Sequence, residues 1–248
     1  MIENYDVYIL NRREKISFLL SSGILFCVSS YLFYNNVIIS LLFFTLAFPA
    51  QKVYALQLAD KRKRELTYQF RDLLYELSSS ISAGRQMREA LIEAEKNMKF
   101  TYGDEALICR ELTNMVIGME ESGETEETVF NSFAVRSKIK DINSFVDVYR
   151  IGKKTGADME RVIRKTVGVL LDRIELEKEV RTLTAQKRFE FAILMAMPLF
   201  MLLFLRISSP SYMSAMYETT AGRILMTFSY LSVGAAAYAA YKITNIRL

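Results

Sequence analysis

The sequence predicts an all-α membrane protein, with two transmembrane helices near each end and a cytoplasmic helical bundle of about six helices between them. Three observations lead there. Only three prolines and ten glycines interrupt 248 residues, too few breakers for a turn-rich β fold. Hydrophobic residues form 51% of the chain and crowd into its two ends. The charges crowd into the middle, where residues 51–190 hold 25 of the 32 Lys/Arg and 24 of the 28 Asp/Glu.

Residues 16–34, ISFLLSSGILFCVSSYLFY, run uncharged for 19 positions, close to the roughly 20 residues that cross a hydrocarbon core. Asn35 and Asn36 follow, and residues 37–50 are again uncharged. This second segment reaches spanning length only by continuing past Pro49 toward Leu56. So short a connection permits only a tight helical hairpin. Because a second apolar run follows at once, without a small-x-small cleavage site, the hairpin is predicted to be retained rather than cleaved as a signal peptide.

The other end repeats the arrangement. Residues 189–205 are apolar apart from Glu190, and residues 224–243 carry only Lys242. Basic residues set the orientation. Arg12, Arg13 and Lys15 precede the first span, the first hairpin loop has no basic residue, and the second loop has Arg206 and Arg223 at its edges. Both termini and the central region are therefore assigned to the cytoplasm. The predicted divisions are 1–15 (cytoplasmic N-terminus), 16–56 (first transmembrane hairpin), 57–188 (cytoplasmic domain), 189–243 (second hairpin) and 244–248 (cytoplasmic tail).

No ionisable residue lies near the middle of any span, which argues against ion or proton transport through this chain alone. In the fourth span Ser232, Ala236 and Ala240 recur at four-residue spacing. Small residues let helix backbones approach closely, either within this chain or along a seam between copies.

The central region has helix-type apolar spacing throughout. Leu66, Phe70, Leu73, Leu74, Leu77 and Ile81 form one stripe; Phe145, Val148, Tyr149 and Ile151-Gly152 form another. Three short pieces resemble one another: SAGRQMREAL, ESGETEETVF and KTGADMERVI. Each places a glycine (Gly84, Gly123, Gly156) behind a helical stripe, then an apolar pair six and seven positions on: Ala90-Leu91, Val129-Phe130, Val162-Ile163. Glycine takes the left-handed conformation that ends helices, so the pattern predicts three helix–Gly turn–helix units. A long helix is expected from about Asp158 into the third span, perturbed at Pro198.

Gly152-Lys153-Lys154-Thr155 imitates the end of a phosphate-binding loop. The Walker pattern needs a glycine five positions earlier and Ser or Thr directly after Gly-Lys. Asp147 and Lys154 stand there instead. Lys153 and Lys154 are better read as a solvated helix end, favoured by the dipole. Glu120, Glu121, Glu124, Glu126 and Glu127 surround Gly123; the last three complement the start of a helix, or the group offers an acidic face to a basic partner. Lys61 to Arg64 form either a solvated helix face or a contact with anionic headgroups. The net charge of +4 is not gathered into a basic stripe with interleaved aromatics, so no nucleic-acid partner is predicted. With no histidine and only Cys27 and Cys109, 82 residues apart, no catalytic, cofactor-binding or metal-ligating residue is predicted, and no enzyme.

SAGRQMREAL, RIGKKTGADMERVI with the following ELEKEVRTLTAQKRFEFAILMAMPLF, and SPSYMSAMYETTAGRIL resemble the type II secretion F-domain family. Within it they are similar to the TadB/TadC-like inner-membrane platform proteins of tight-adherence pili. The resemblance covers roughly residues 65–245; the first 50 residues match only in hydrophobic layout. It implies a non-enzymatic scaffold in the bacterial inner membrane, whose cytoplasmic domain meets a hexameric secretion ATPase and which helps move pilin subunits from the bilayer into a filament. Relatives usually carry two copies of the domain, so this chain implies a second F-domain platform protein or self-association. A membrane receptor or signalling protein with a helical output domain is the alternative, although its outer loop of residues 208–222 is small for a sensor.

Overall fold

In a computed structural model of the chain, described for Tyr5 and residues 10–45, 47–155 and 159–244, every element is an α-helix. In order they are α1 (Arg12–Tyr34), α2 (Val37–Phe44), α3 (Ala47–Ser82), α4 (Met87–Tyr102), α5 (Leu107–Glu120), α6 (Glu126–Ser137), α7 (Lys140–Thr155), α8 (Met159–Ser208), α9 (Pro210–Glu218) and α10 (Thr220–Thr244). Among the described residues, four stretches are long and apolar enough to cross a membrane: Arg12–Tyr34, Val37–Ser82, Arg161–Ser208 and Thr220–Ile243. The chain divides into two compact units. The first comprises Met1–Ile9 and Ala55–Leu176, the second Leu10–Tyr54 and Glu177–Leu248.

The first unit has one continuous core. The predicted stripe Leu66, Phe70, Leu73, Leu74, Leu77 and Ile81 is buried along α3. The second predicted stripe shifts: α7 buries Ile142, Phe145, Val146, Tyr149 and Gly152, while Ile151 is 61% exposed. The buried residues recur at three- and four-residue spacing, and at about 100° per residue Ile151 falls roughly opposite the face they share. The rings of Phe70, Phe130, Phe133, Phe145 and Tyr149 meet edge-on or tilted, with centroids 5.3 to 6.2 Å apart. Such pairs favour fixed geometry as well as burial.

The glycine turns explain the connections. At the end of α3 the Arg85 N–H donates to the Ser80 carbonyl at 3.2 Å, and Gly84 takes φ +83°, a left-handed helix stop. Gly123 takes φ +65° between α5 and α6. Gly156 lies outside the described residues. The paired positions behind the glycines point inward: Ala90, Leu91, Val129, Phe130 and Ile163 are buried and Val162 is half-buried. Gly103, with φ +83°, ends α4 and belongs to none of the three predicted units. Nothing lies within 4 Å of a Cβ built at Gly84, so substitution there meets strain and not crowding. Gly84→Val is expected to lower the unfolding free energy by about 1–2 kcal/mol and Gly84→Asn by less, measured by chemical denaturation.

The second unit holds α1, α2, α9 and α10 with parts of α3 and α8. Its tight hairpin is built by two asparagines. Asn35 ends α1 in the left-handed region with φ 46°, and the Asn36 side-chain oxygen accepts from the Ile38 and Ile39 N–H groups at 2.9 and 3.4 Å. The second apolar segment continues past Pro49, as expected, but as two helices. α2 stops at Phe44, and the chain restarts as α3 at Ala47, ahead of Pro49. Pro49 is the third residue of α3, within the first turn whose N–H groups have no intrahelical partner. The proline thus belongs to a helix start within the apolar stretch that begins at Val37.

The region 208–222, expected to be a loop, contains α9. Pro210 occupies its first position, where a preset φ favours initiation and no N–H is missed. Met213 from α9 packs with Phe33 and Met226 in a second core cluster. Gly222 lets the chain pass close by: a Cβ there would lie 2.6 Å from the Met216 Cα. Since backbone cannot yield as a flexible side chain does, Gly222→Ala is expected to cost about 1–3 kcal/mol, read as a lower thermal midpoint.

Candidate functional site

Side-chain contacts gather the turns at one end of the first unit. Arg88, at the start of α4, donates to the Met119 carbonyl near the end of α5 at 2.6 Å. Lys153, in the last turn of α7, pairs with Glu126 at the start of α6 at 2.7 Å. Arg164 of α8 donates to the Ser82 hydroxyl at the end of α3 at 3.0 Å. The α3–α4 and α5–α6 turns and the facing ends of α7 and α8 therefore form one surface.

Helix chemistry sets the charges on it. Thr125 caps α6 by accepting from the Thr128 N–H at 3.3 Å, and Glu126 and Glu127 occupy the first turn, the dipole-favoured place for acids. The last turn of α7 carries Lys153 and Lys154, favoured there for the converse reason. Antiparallel neighbours bring these two ends together. Arg150 pairs with Glu127 at 3.1 Å and donates to the Asn131 side-chain oxygen at 2.6 Å. Of the predicted surface charges, Glu126, Glu127 and Lys153 are thus engaged with neighbouring helices. Glu120, Glu121, Glu124 and Lys154 are exposed. Around Gly84, Glu93 accepts from the Ser80 hydroxyl at 2.6 Å and pairs with Arg85. Ser232 and Ala236 are exposed on α10 and Ala240 is half-buried.

The hydrogen bond from Lys153 holds the Glu126 carboxyl below its ordinary 4.5, against burial and with help from its own backbone N–H and the Lys153 charge. A carboxyl lowered on folding contributes stability above its unfolded value, and the contribution disappears as pH falls through the folded value. Stability should therefore decline on acidification below the ordinary value, and Glu126→Gln should make that decline shallower. Denaturation midpoints at pH 3 to 7 would check it, with ~0.5-unit steps adequate for a single-site titration.

A buried polar cluster escapes the predicted list. Glu111 is 2% exposed on α5, accepts from the Tyr5 hydroxyl at 2.9 Å, and is paired with Arg136 of α6. The Arg62 guanidinium lies over the Tyr5 ring at 4.9 Å. Burial, then Glu111, raises the Tyr5 hydroxyl's pKa. Glu111 shares its helix face with Ile108, Leu112, Met115 and Met119, so an acid within an apolar stripe was the available signal. Likewise Gln69 of α3 is buried because its side-chain oxygen accepts from the Ile108 N–H at 3.0 Å, capping α5 from outside. Asp141 of α7 reaches Arg173 of α8 at 2.8 Å, and burial raises its carboxyl despite that cation.

These arrangements tie the helices of the first unit to one another. Among the described residues no three His, Cys, Asp or Glu side chains gather as a metal site, Cys109 is buried and Cys27 is half-buried. No family model, curated protein or solved structure matches the chain.

Proposed function

We propose that the chain is a non-enzymatic platform protein of a type II secretion or tight-adherence pilus machine in a bacterial inner membrane. The reading rests on the resemblance of its turn and span sequences to the F-domain family. The structural observation that carries it is that α3 and α8, 36 and 50 residues long, each have residues both in the charged first unit and in the apolar second unit. In this reading four transmembrane helices anchor a cytoplasmic domain, with both termini inside. A hexameric ATPase engages the turn-bearing end through Glu120, Glu121 and Glu124, and helices that continue into the bilayer pass its motion to pilin subunits. A second F-domain protein or another copy completes the platform, for which Ser232, Ala236 and Ala240 supply a close-packing face.

Deletion of the gene is expected to abolish surface filaments, with recovery on complementation, as scored by electron microscopy of whole cells. Normal filaments in a deletion strain lacking any redundant copy would sink the proposal.

A further inference from the structure

The second unit contains an open groove of about 510 Å³ walled by α1, α2 and α8. Val28, Leu32, Leu41 and Leu203 make its lining apolar, and Arg206 is the charged residue that lines it. The guanidinium sits at one end. It stacks 4.7 Å over the Tyr31 ring and donates from one nitrogen to the Tyr31 hydroxyl at 3.2 Å and the Asn35 side-chain oxygen at 2.9 Å. A guanidinium has five N–H donors in a planar fork suited to phosphate, and these two bonds engage only one nitrogen.

The position of that cation matters. Asn35 and Asn36 form the turn where α1 and α2 leave the apolar stretch, and Arg206 stands two residues before the end of α8. If these helices cross a bilayer, that level is the headgroup region, where Arg and Tyr place polar tips beside apolar bodies. From there the groove descends along α1 to Cys27, four residues below Tyr31, or about 6 Å at 1.5 Å per residue. A cation at the polar end and hydrocarbon below is the complement of one phospholipid: phosphate outside, the start of an acyl chain inside. The volume lies in the usual range for a small-ligand site, roughly 300–1,000 Å³.

We propose that this groove holds one anionic phospholipid of the leaflet on the α1–α2 turn side, with its phosphate on Arg206 and an acyl chain along α1 and α2. The proposal rests on the membrane-spanning reading of the second unit, but not on the platform role.

The test is native mass spectrometry of the full chain released from nanodiscs of phosphatidylcholine and phosphatidylglycerol in equal amounts. The wild type is expected to retain one phosphatidylglycerol with about tenfold preference, because the choline cation beside the phosphate of phosphatidylcholine opposes the Arg206 guanidinium and a glycerol headgroup does not. Arg206→Gln should lose the preference and Arg206→Lys should keep part of it. Leu203→Trp, which fills the groove but keeps the cation, should lose the retained lipid. Because Cys109 is 0% exposed and Cys27 lines the groove, maleimide labelling of Cys27 should rise in Leu41→Ala only after delipidation. Equal retention of both lipids, or retention unchanged in both Arg206→Gln and Leu203→Trp, overturns the proposal. So does a Cys27–Cys27 crosslink that excludes lipid, since a second copy would then occupy the groove. Failure to insert into nanodiscs overturns the membrane reading with it, whereas insertion without lipid retention overturns this proposal alone.

Discussion

Replacing Glu111 with alanine should lower the stability of the first unit by about 3–5 kcal/mol, the cost of breaking a buried ion pair from one side. Its carboxylate is the partner of both the Arg136 guanidinium and the Tyr5 hydroxyl. The Arg136 side chain is only 18% exposed, and its Nε is buried without a hydrogen-bond partner among the described residues. Alanine at 111 therefore strands a cation that water reaches poorly. The paired replacement Glu111→Leu with Arg136→Met removes both charges and strands only the neutral Tyr5 hydroxyl, so it should cost less than Glu111→Ala alone. Tyr5→Phe, which removes one hydrogen bond to a charged acceptor, should cost about 1.5–3 kcal/mol. Denaturation of the detergent-solubilised chain, followed by circular dichroism, would rank the three. A double replacement as damaging as the single one would mean that packing and not charge governs this cluster.

The second large effect is expected in the aromatic core. Phe130→Ala should destabilise the first unit by about 3–5 kcal/mol. Phe130 is fully buried, and its ring meets Phe145 and Tyr149 at 5.5 and 5.3 Å between centroids. The loss combines transfer of the ring to water with the cavity left among neighbours held by helices α6 and α7. Phe130 is also the seventh residue beyond Gly123, as Leu91 is beyond Gly84. Leu91→Ala should follow with about 2–5 kcal/mol, while Ile151→Ala, at an exposed position of α7, should change little.

Much of this molecule is readable in its sequence because helices declare themselves through spacing. The α3 stripe, the two described glycine turns and the inward apolar pairs behind them need no information beyond local periodicity and the left-handed preference of glycine. The Asn35-Asn36 hairpin is similarly local. What escapes depends on neighbours distant in the chain. Glu111 is an ordinary surface acid by type and becomes a buried one only because Tyr5 and Arg136 arrive beside it. Gln69 caps a helix 39 residues away. The α9 helix was hidden because Ser209-Pro210 reads equally as a breaker or a first turn, and Met213 decides between them by packing on Phe33 and Met226. The same ambiguity at Pro49 hid the break between α2 and α3. At the turn-bearing end the charges were legible by type, but their pairing was not. Lys153 with Glu126 and Arg150 with Glu127 join α7 to α6, leaving Glu120, Glu121 and Glu124 as the outward acids.

Those three acids offer the most direct test of the proposed role. Affinity purification of the tagged chain from native membranes should recover the secretion ATPase. The triple replacement Glu120→Lys, Glu121→Lys and Glu124→Lys should lose it while keeping the wild-type unfolding midpoint. Recovery of no secretion ATPase by the wild type, or its undiminished recovery by the charge-reversed variant, would contradict the account of this end as the docking surface of an ATP-driven platform.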